Sequence, residues 1–96
     1  MGSTAGGVRI PPVKISGNQP KYTNGAREDH VSGSVKLGCT VMPDGTVSNI
    51  QVLRSLHPEL DQAAIETLKT WRFKPGTKDG VPIPFATQIE FTFNLL

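Results

Sequence analysis

The stretch LDQAAIETLKTWRFKPGTKDG, Leu60 to Gly80, decides how the chain folds. Leu60, Ala64, Leu68 and Trp71 recur at helical spacing, with Ala63 and Ile65 beside them. Just upstream, Pro58 suits a first helical turn, and Glu59 and Asp61 place negative charge where the helix dipole favours it. Lys69, Arg72 and Lys74 gather where cations are favoured, and Pro75-Gly76 is the expected stop. The reading is one amphipathic helix that runs through WRFK and turns Trp71 into the core.

Working outward, the flanks are strands. From Ser34 to Met42 the pattern alternates: Val35, Leu37, Cys39 and Val41 face one way, Ser34, Lys36, Gly38 and Thr40 the other. Met42-Pro43-Asp44-Gly45 follows. Proline cannot take the positive φ of a type I′ turn, so a type I turn with Gly45 left-handed in a bulge is expected. In the second strand, TVSNIQVLRS, the apolar phase slips between Val47 and the pair Ile50 and Val52, and a bulge near Asn49 would reconcile them. Gly80-Val81-Pro82 reads as a turn. The last strand alternates most clearly, with Ile89, Phe91, Phe93 and Leu95 on one face and Gln88, Glu90, Thr92 and Asn94 on the other.

The expected fold is therefore α+β: a small two-layer domain, β-β-α-β, with a three-stranded antiparallel or mixed sheet and one main helix on one face. A right-handed crossover makes the last strand parallel to the second. The first strand takes the middle, and the last lies at an edge with its outer backbone groups unpaired. Residues 1–18, rich in Gly, Pro and Ser, read as a flexible linker with extended pieces, beginning with a lead-in MGSTAGG, and residues 19–96 as the domain. A short N-terminal helix over residues 22–30 is compatible with YTNGAREDH, although Asn24-Gly25 weakens it.

Composition narrows the function. A chain of 96 residues is one domain at most, and a net charge of +2 with dispersed lysines and arginines is no nucleic-acid footprint. One cysteine permits no intramolecular disulfide and no Cys-rich metal site. No apolar run reaches the roughly 20 residues needed to cross a bilayer, and no signal peptide is expected from the small polar residues after Met1. His30, His57 and Cys39 make no nucleophile set or metal spacing: Cys39 reads as a small buried hydrophobe, His57 as close to a helix cap, His30 as surface. Asp44 reads as a turn residue and Glu59, Asp61 and Glu66 as solvated helix carboxylates. On a helix Trp71 and Phe73 point roughly 160–200° apart and cannot form a base-stacking platform. No phosphate-binding glycine motif occurs, so neither a cofactor nor an enzyme is expected.

The motifs QPKY (Gln19-Pro20-Lys21-Tyr22), Ala26-Arg27, GSV (Gly33 to Val35), PDGTV (Pro43 to Val47), VLRS (Val52 to Ser55), LDQAAI (Leu60 to Ile65) and WRFKP (Trp71 to Pro75) occur in this order. With them, residues 19–95 resemble the TonB C-terminal domain family. Thr23 stands where the family often has proline, and Leu56-His57 where serine and glycine are common. The resemblance implies the periplasmic end of an energy transducer anchored in the inner membrane, driven by the ExbB–ExbD motor through a membrane helix and proline-rich run that are not in this sequence. It implies capture of the TonB box peptide of outer-membrane transporters as an added strand. The matching positions are Gln19, Pro20, Lys21 and Tyr22, and the edge strand Ala86, Thr87, Gln88, Ile89, Glu90, Phe91, Thr92, Phe93 and Asn94. Short fragments of the family form intertwined dimers, which adds a homodimer to the expectations. The alternative is a TonB-like interaction domain appended to an envelope signalling or structural protein.

Overall fold

A computed structural model describes residues 7–94; residues 1–6 of the lead-in, Leu95 and Leu96 lie outside the described residues. The chain runs β1 (Arg9–Ile10), β2 (Val13–Ser16), α1 (Asn24–Glu28), β3 (Gly33–Val41), β4 (Val47–Arg54), α2 (Pro58–Lys69), β5 (Arg72–Lys74), β6 (Thr77–Lys78), β7 (Val81–Pro82) and β8 (Phe85–Phe93).

Alternation builds β3 as expected: Val35, Leu37, Cys39 and Val41 are buried and the residues between them are half-exposed. The β3–β4 turn closes with Gly45 N–H donating to Met42 O at 2.8 Å and Met42 N–H to Thr46 O at 2.8 Å. Gly45 sits at φ 87°, and a Cβ there would collide with the carbonyl oxygen of Phe73. Glycine is needed both for the backbone sign and for the space.

The bulge in β4 lies where the phase slip put it. Gly38 faces Gln51 and Thr40 faces Ser48, so Asn49 and Ile50 together oppose Cys39, with Asn49 at φ 53°. Val47 and Ile50 consequently both pack against the core. Val52 does not join them: a second irregularity, between the pairs Lys36–Arg54 and Leu37–Val52, leaves it 40% exposed.

Local signals start α2. His57 is its N-cap, with Nδ1 accepting from Glu59 N–H at 3.1 Å, and Pro58 occupies the first turn. Asp61 reaches back to accept from Leu56 N–H at 2.9 Å and from the Ser55 hydroxyl. Leu60, Ala64 and Leu68 are fully buried. The helix ends at Lys69, capped by Thr70, which corrects the expected continuation to Pro75-Gly76. From Trp71 the buried residues recur every second position: Trp71 and Phe73 are buried, Arg72 and Lys74 exposed. A helix would have turned one of the two rings outward; a strand buries both. Phe73 N–H also bonds Gly45 O at 2.9 Å, tying β5 to the β3–β4 turn. Arg72 still serves the helix end, donating to Trp71 O at 2.9 Å and to Lys69 O at 3.4 Å.

The main sheet has the order β4-β3-β8, all neighbours antiparallel, so β8 runs parallel to β4 on the far side of the central strand. The expected α+β fold, with its central first strand and last strand at the edge, is the observed one. The inner face of the sheet meets Leu60, Ala64 and Leu68 of α2 in one core. Trp71 covers Phe91 edge-on at 5.2 Å between ring centroids, and Tyr22 covers Phe93 likewise at 5.9 Å. α1 forms despite Asn24-Gly25, because Thr23 Oγ1 accepts from Ala26 N–H at 3.3 Å and Ala26 is fully buried. Residues 7–18 lie along the domain: β1 pairs antiparallel with β6 and β2 with β5. The β6–β7 turn uses Asp79 and Gly80, at φ 53° and 83°, so Val81-Pro82 falls in a strand rather than in the turn.

Candidate functional site: the free edge of the last strand

β8 is held on one side only. Its inner edge follows β3 in unbroken register, from Gly33 opposite Phe93 to Val41 opposite Phe85. Its outer edge pairs with no strand among the described residues. Along β8 the side chains alternate: Ala86, Gln88, Glu90 and Thr92 are exposed on the open face of the sheet, while Phe85, Thr87 and Ile89 are half-buried and Phe91 and Phe93 buried. Glu90 stands opposite Lys36, and Thr92 Oγ1 lies 3.1 Å from Ser34 Oγ. Asn94 follows the strand and is exposed. Such an edge offers backbone N–H and C=O groups at strand spacing, which a second extended chain can match.

The Gln19–Tyr22 segment reaches one end of this strand. Tyr22 is placed by three contacts: its ring on Phe93, its hydroxyl donating to Val31 O, and the Arg27 guanidinium 5.4 Å from its ring centroid. Pro20 is half-buried. Gln19 and Lys21 are exposed and line a shallow cleft with Ala63, Glu66 and Thr67 of α2. Only Tyr22 of the four is shown in ring contact with the edge strand, at Phe93, the end opposite Ala86.

Residues 7–18 also pack on the rings of Trp71 and Phe85, an arrangement not expected from a linker. The Lys14 ammonium lies 3.8 Å from the Trp71 ring centroid, and the Arg9 guanidinium 4.9 Å from that of Phe85. Trp71 Nε1–H donates to Asn18 O at 2.9 Å, and Gly17 leaves no room for a Cβ against the indole. A signal existed: Val8, Ile10, Val13 and Ile15 alternate with cations around Pro11-Pro12, which is a strand pattern.

The remaining polar groups explain themselves locally. The Thr46 hydroxyl and amide hydrogen bonds hold the Asp44 carboxyl below its usual pKa. Burial pushes the Cys39 thiol up, which makes it a poor nucleophile. His57 Nε2 meets Asp29 Oδ2 at 3.0 Å, joining the two helices. His30 is exposed at the end of α1. Among the described residues no group of three His, Cys, Asp or Glu side chains could hold a metal ion, and no helix is long and apolar enough to cross a membrane.

The family model for the Gram-negative bacterial TonB protein C-terminal matches residues 18–95. The chain belongs to the TonB C-terminal family. Protein TonB of Vibrio cholerae is 36% identical over 86 residues, covering 88% of this chain and 35% of that protein. Protein TonB of Escherichia coli is 33% identical over 70 residues, covering 72% of this chain and 29% of that protein. The solution NMR structure of the Pseudomonas aeruginosa TonB C-terminal domain superposes with a TM-score of 0.72 at 26% identity, covering 88% of this chain and 86% of that one. The chain spans about a third of the length of these TonB relatives. The match begins at residue 18, so β1 and β2 lie upstream of the part described by the family.

Proposed function

We propose that this domain is the peptide-capturing end of a TonB-type energy transducer. A TonB box segment of an outer-membrane transporter adds to the outer edge of β8 as an extra strand. The domain works in the periplasm, tethered to the inner membrane by sequence upstream, through which the ExbB–ExbD motor pulls. No catalysis or cofactor enters this reading. The observation that carries it is the outer edge of β8, unpaired among the described residues, on a nine-residue strand whose inner edge is fully committed to β3. A peptide joined there shares the load over several backbone hydrogen bonds, and those bonds in turn over the β3–β8 register. Tyr22, packed on Phe93 at one end of β8, supports a role for the Gln19–Tyr22 segment in side-chain contacts to the peptide. A second copy of the chain is the natural competitor for the same edge, and a homodimer through β8 belongs to the same proposal.

Backbone NMR titration tests it. Peptides from transporter N-terminal plugs bind with a Kd of roughly micromolar order, shifting Ala86–Asn94 and Gln19–Tyr22. An absence of shifts with any such peptide, or shifts confined to the opposite edge strand β4, overturns the reading.

A further inference from the structure

We propose that residues 7–18 form a load-releasable latch, which detaches under tension before the sheet that holds the peptide is disturbed. The inference rests on the tether reading for its biological direction, but its mechanics belong to this chain alone.

The segment is built inside out. In an ordinary covering strand the aliphatic side chains face the domain and the charged ones face water. Here Lys14 and Arg9 lie on the rings of Trp71 and Phe85. Val8, Ile10, Val13 and Ile15 are instead 53–68% exposed. Detachment therefore uncovers little new aliphatic surface from the segment itself, and the apolar surface it opens on the domain is chiefly the Trp71 indole beneath Lys14 and Gly17. What holds the segment is short and solvent-accessible. β1 pairs with β6 only at Arg9–Lys78 and Ile10–Thr77, and β2 with β5 at Val13–Lys74, Lys14–Phe73 and Ser16–Arg72, with an irregularity before the last. Val8 and Asp79 add a local pair of hydrogen bonds at 2.8 and 2.7 Å, and Trp71 bonds Asn18. By contrast β8 is bonded to β3 along its whole length and anchored by Phe91 and Phe93 in the core.

Tension applied upstream reaches residues 7–18 first, because they lie between the N-terminal side and Gln19–Tyr22 in the chain. Weakly protected elements open before the core does. Release lengthens the tether by the contour of these twelve residues, roughly 40 Å at ~3.3–3.6 Å each. The grip at β8 is kept while the jolt is absorbed.

Force spectroscopy on the full chain, pulled through peptide tags at both termini, tests the latch without any peptide ligand. The expected trace has an early, reversible step of roughly 40 Å contour, followed by a separate rip of the core. A disulfide between Val13→Cys and Lys74→Cys, which face each other in register, cuts the early step to about half, because only residues 7–12 can still peel, and shortens the core rip, because residues 14–73 no longer carry load. Lys14→Ala with Gly17→Ala moves the early step to lower force. A single all-or-none rip in the parent chain, or an early step indifferent to the disulfide, overturns the proposal. The NMR titration above reports on the peptide site separately, so either idea can fail while the other stands.

Discussion

Trp71 ties the N-terminal segment to the core. It packs edge-on against Phe91 and tilted against Phe73 at 6.1 Å, takes Lys14 on its face and bonds Asn18. Truncation to alanine empties a core site and releases the segment above it, and is expected to cost about 3–5 kcal/mol, measured by chemical denaturation. A loss below ~1 kcal/mol would mean the ring is not part of the core. Asp44 gives a pH prediction of definite sign. Its folded pKa lies below the ordinary value of 3.8, first because the Thr46 side chain bonds the carboxylate. The ionised turn is therefore favoured above that value, and the favour is lost as pH falls through the lower, folded one. The Asp44 carboxyl carbon, followed by NMR, should titrate below the ordinary range, and Thr46→Ala should return it upward.

Among the elements, those specified by near neighbours were readable before the structure. The β3–β4 turn needed only Pro43, Asp44 and Gly45; the bulge showed as a slip in apolar phase; the start of α2 showed in Pro58, Glu59 and Asp61. The edge position of β8 followed from crossover handedness and alternation. The end of α2 was not readable, because the spacing of Leu68 and Trp71 fits a helix. What breaks the helix there is a partner far away: β5 pairs with Val13–Ser16, and the Trp71 indole bonds Asn18, 53 positions upstream. The packing of residues 7–18 was hidden for the same reason, compounded by the two prolines, which look like linker. Of the candidate site, the edge strand was legible, but the placement of Tyr22 on Phe93 depends on the fold. At the head of α2, His57→Ala removes the acceptor for Glu59 N–H and the link to Asp29. About 1 kcal/mol of stability should go with it, seen as a lower denaturation midpoint with an unchanged m-value.

As a whole the molecule is long and narrow, 59 × 22 × 21 Å. Its best-defended part is the β3–β8 pair over one compact core, and its least defended is the N-terminal segment. Such a gradient suits a part that must hold at one place and yield at another. Cys39, 5% exposed on the inner face of the central strand, is the sole thiol. Any surface position changed to cysteine would thus be the only sulfur that a maleimide dye could find quickly. The folded chain would accept one fluorophore at a chosen point without first being stripped of its native thiol. Slow background labelling would itself report how often the centre of the domain breathes open.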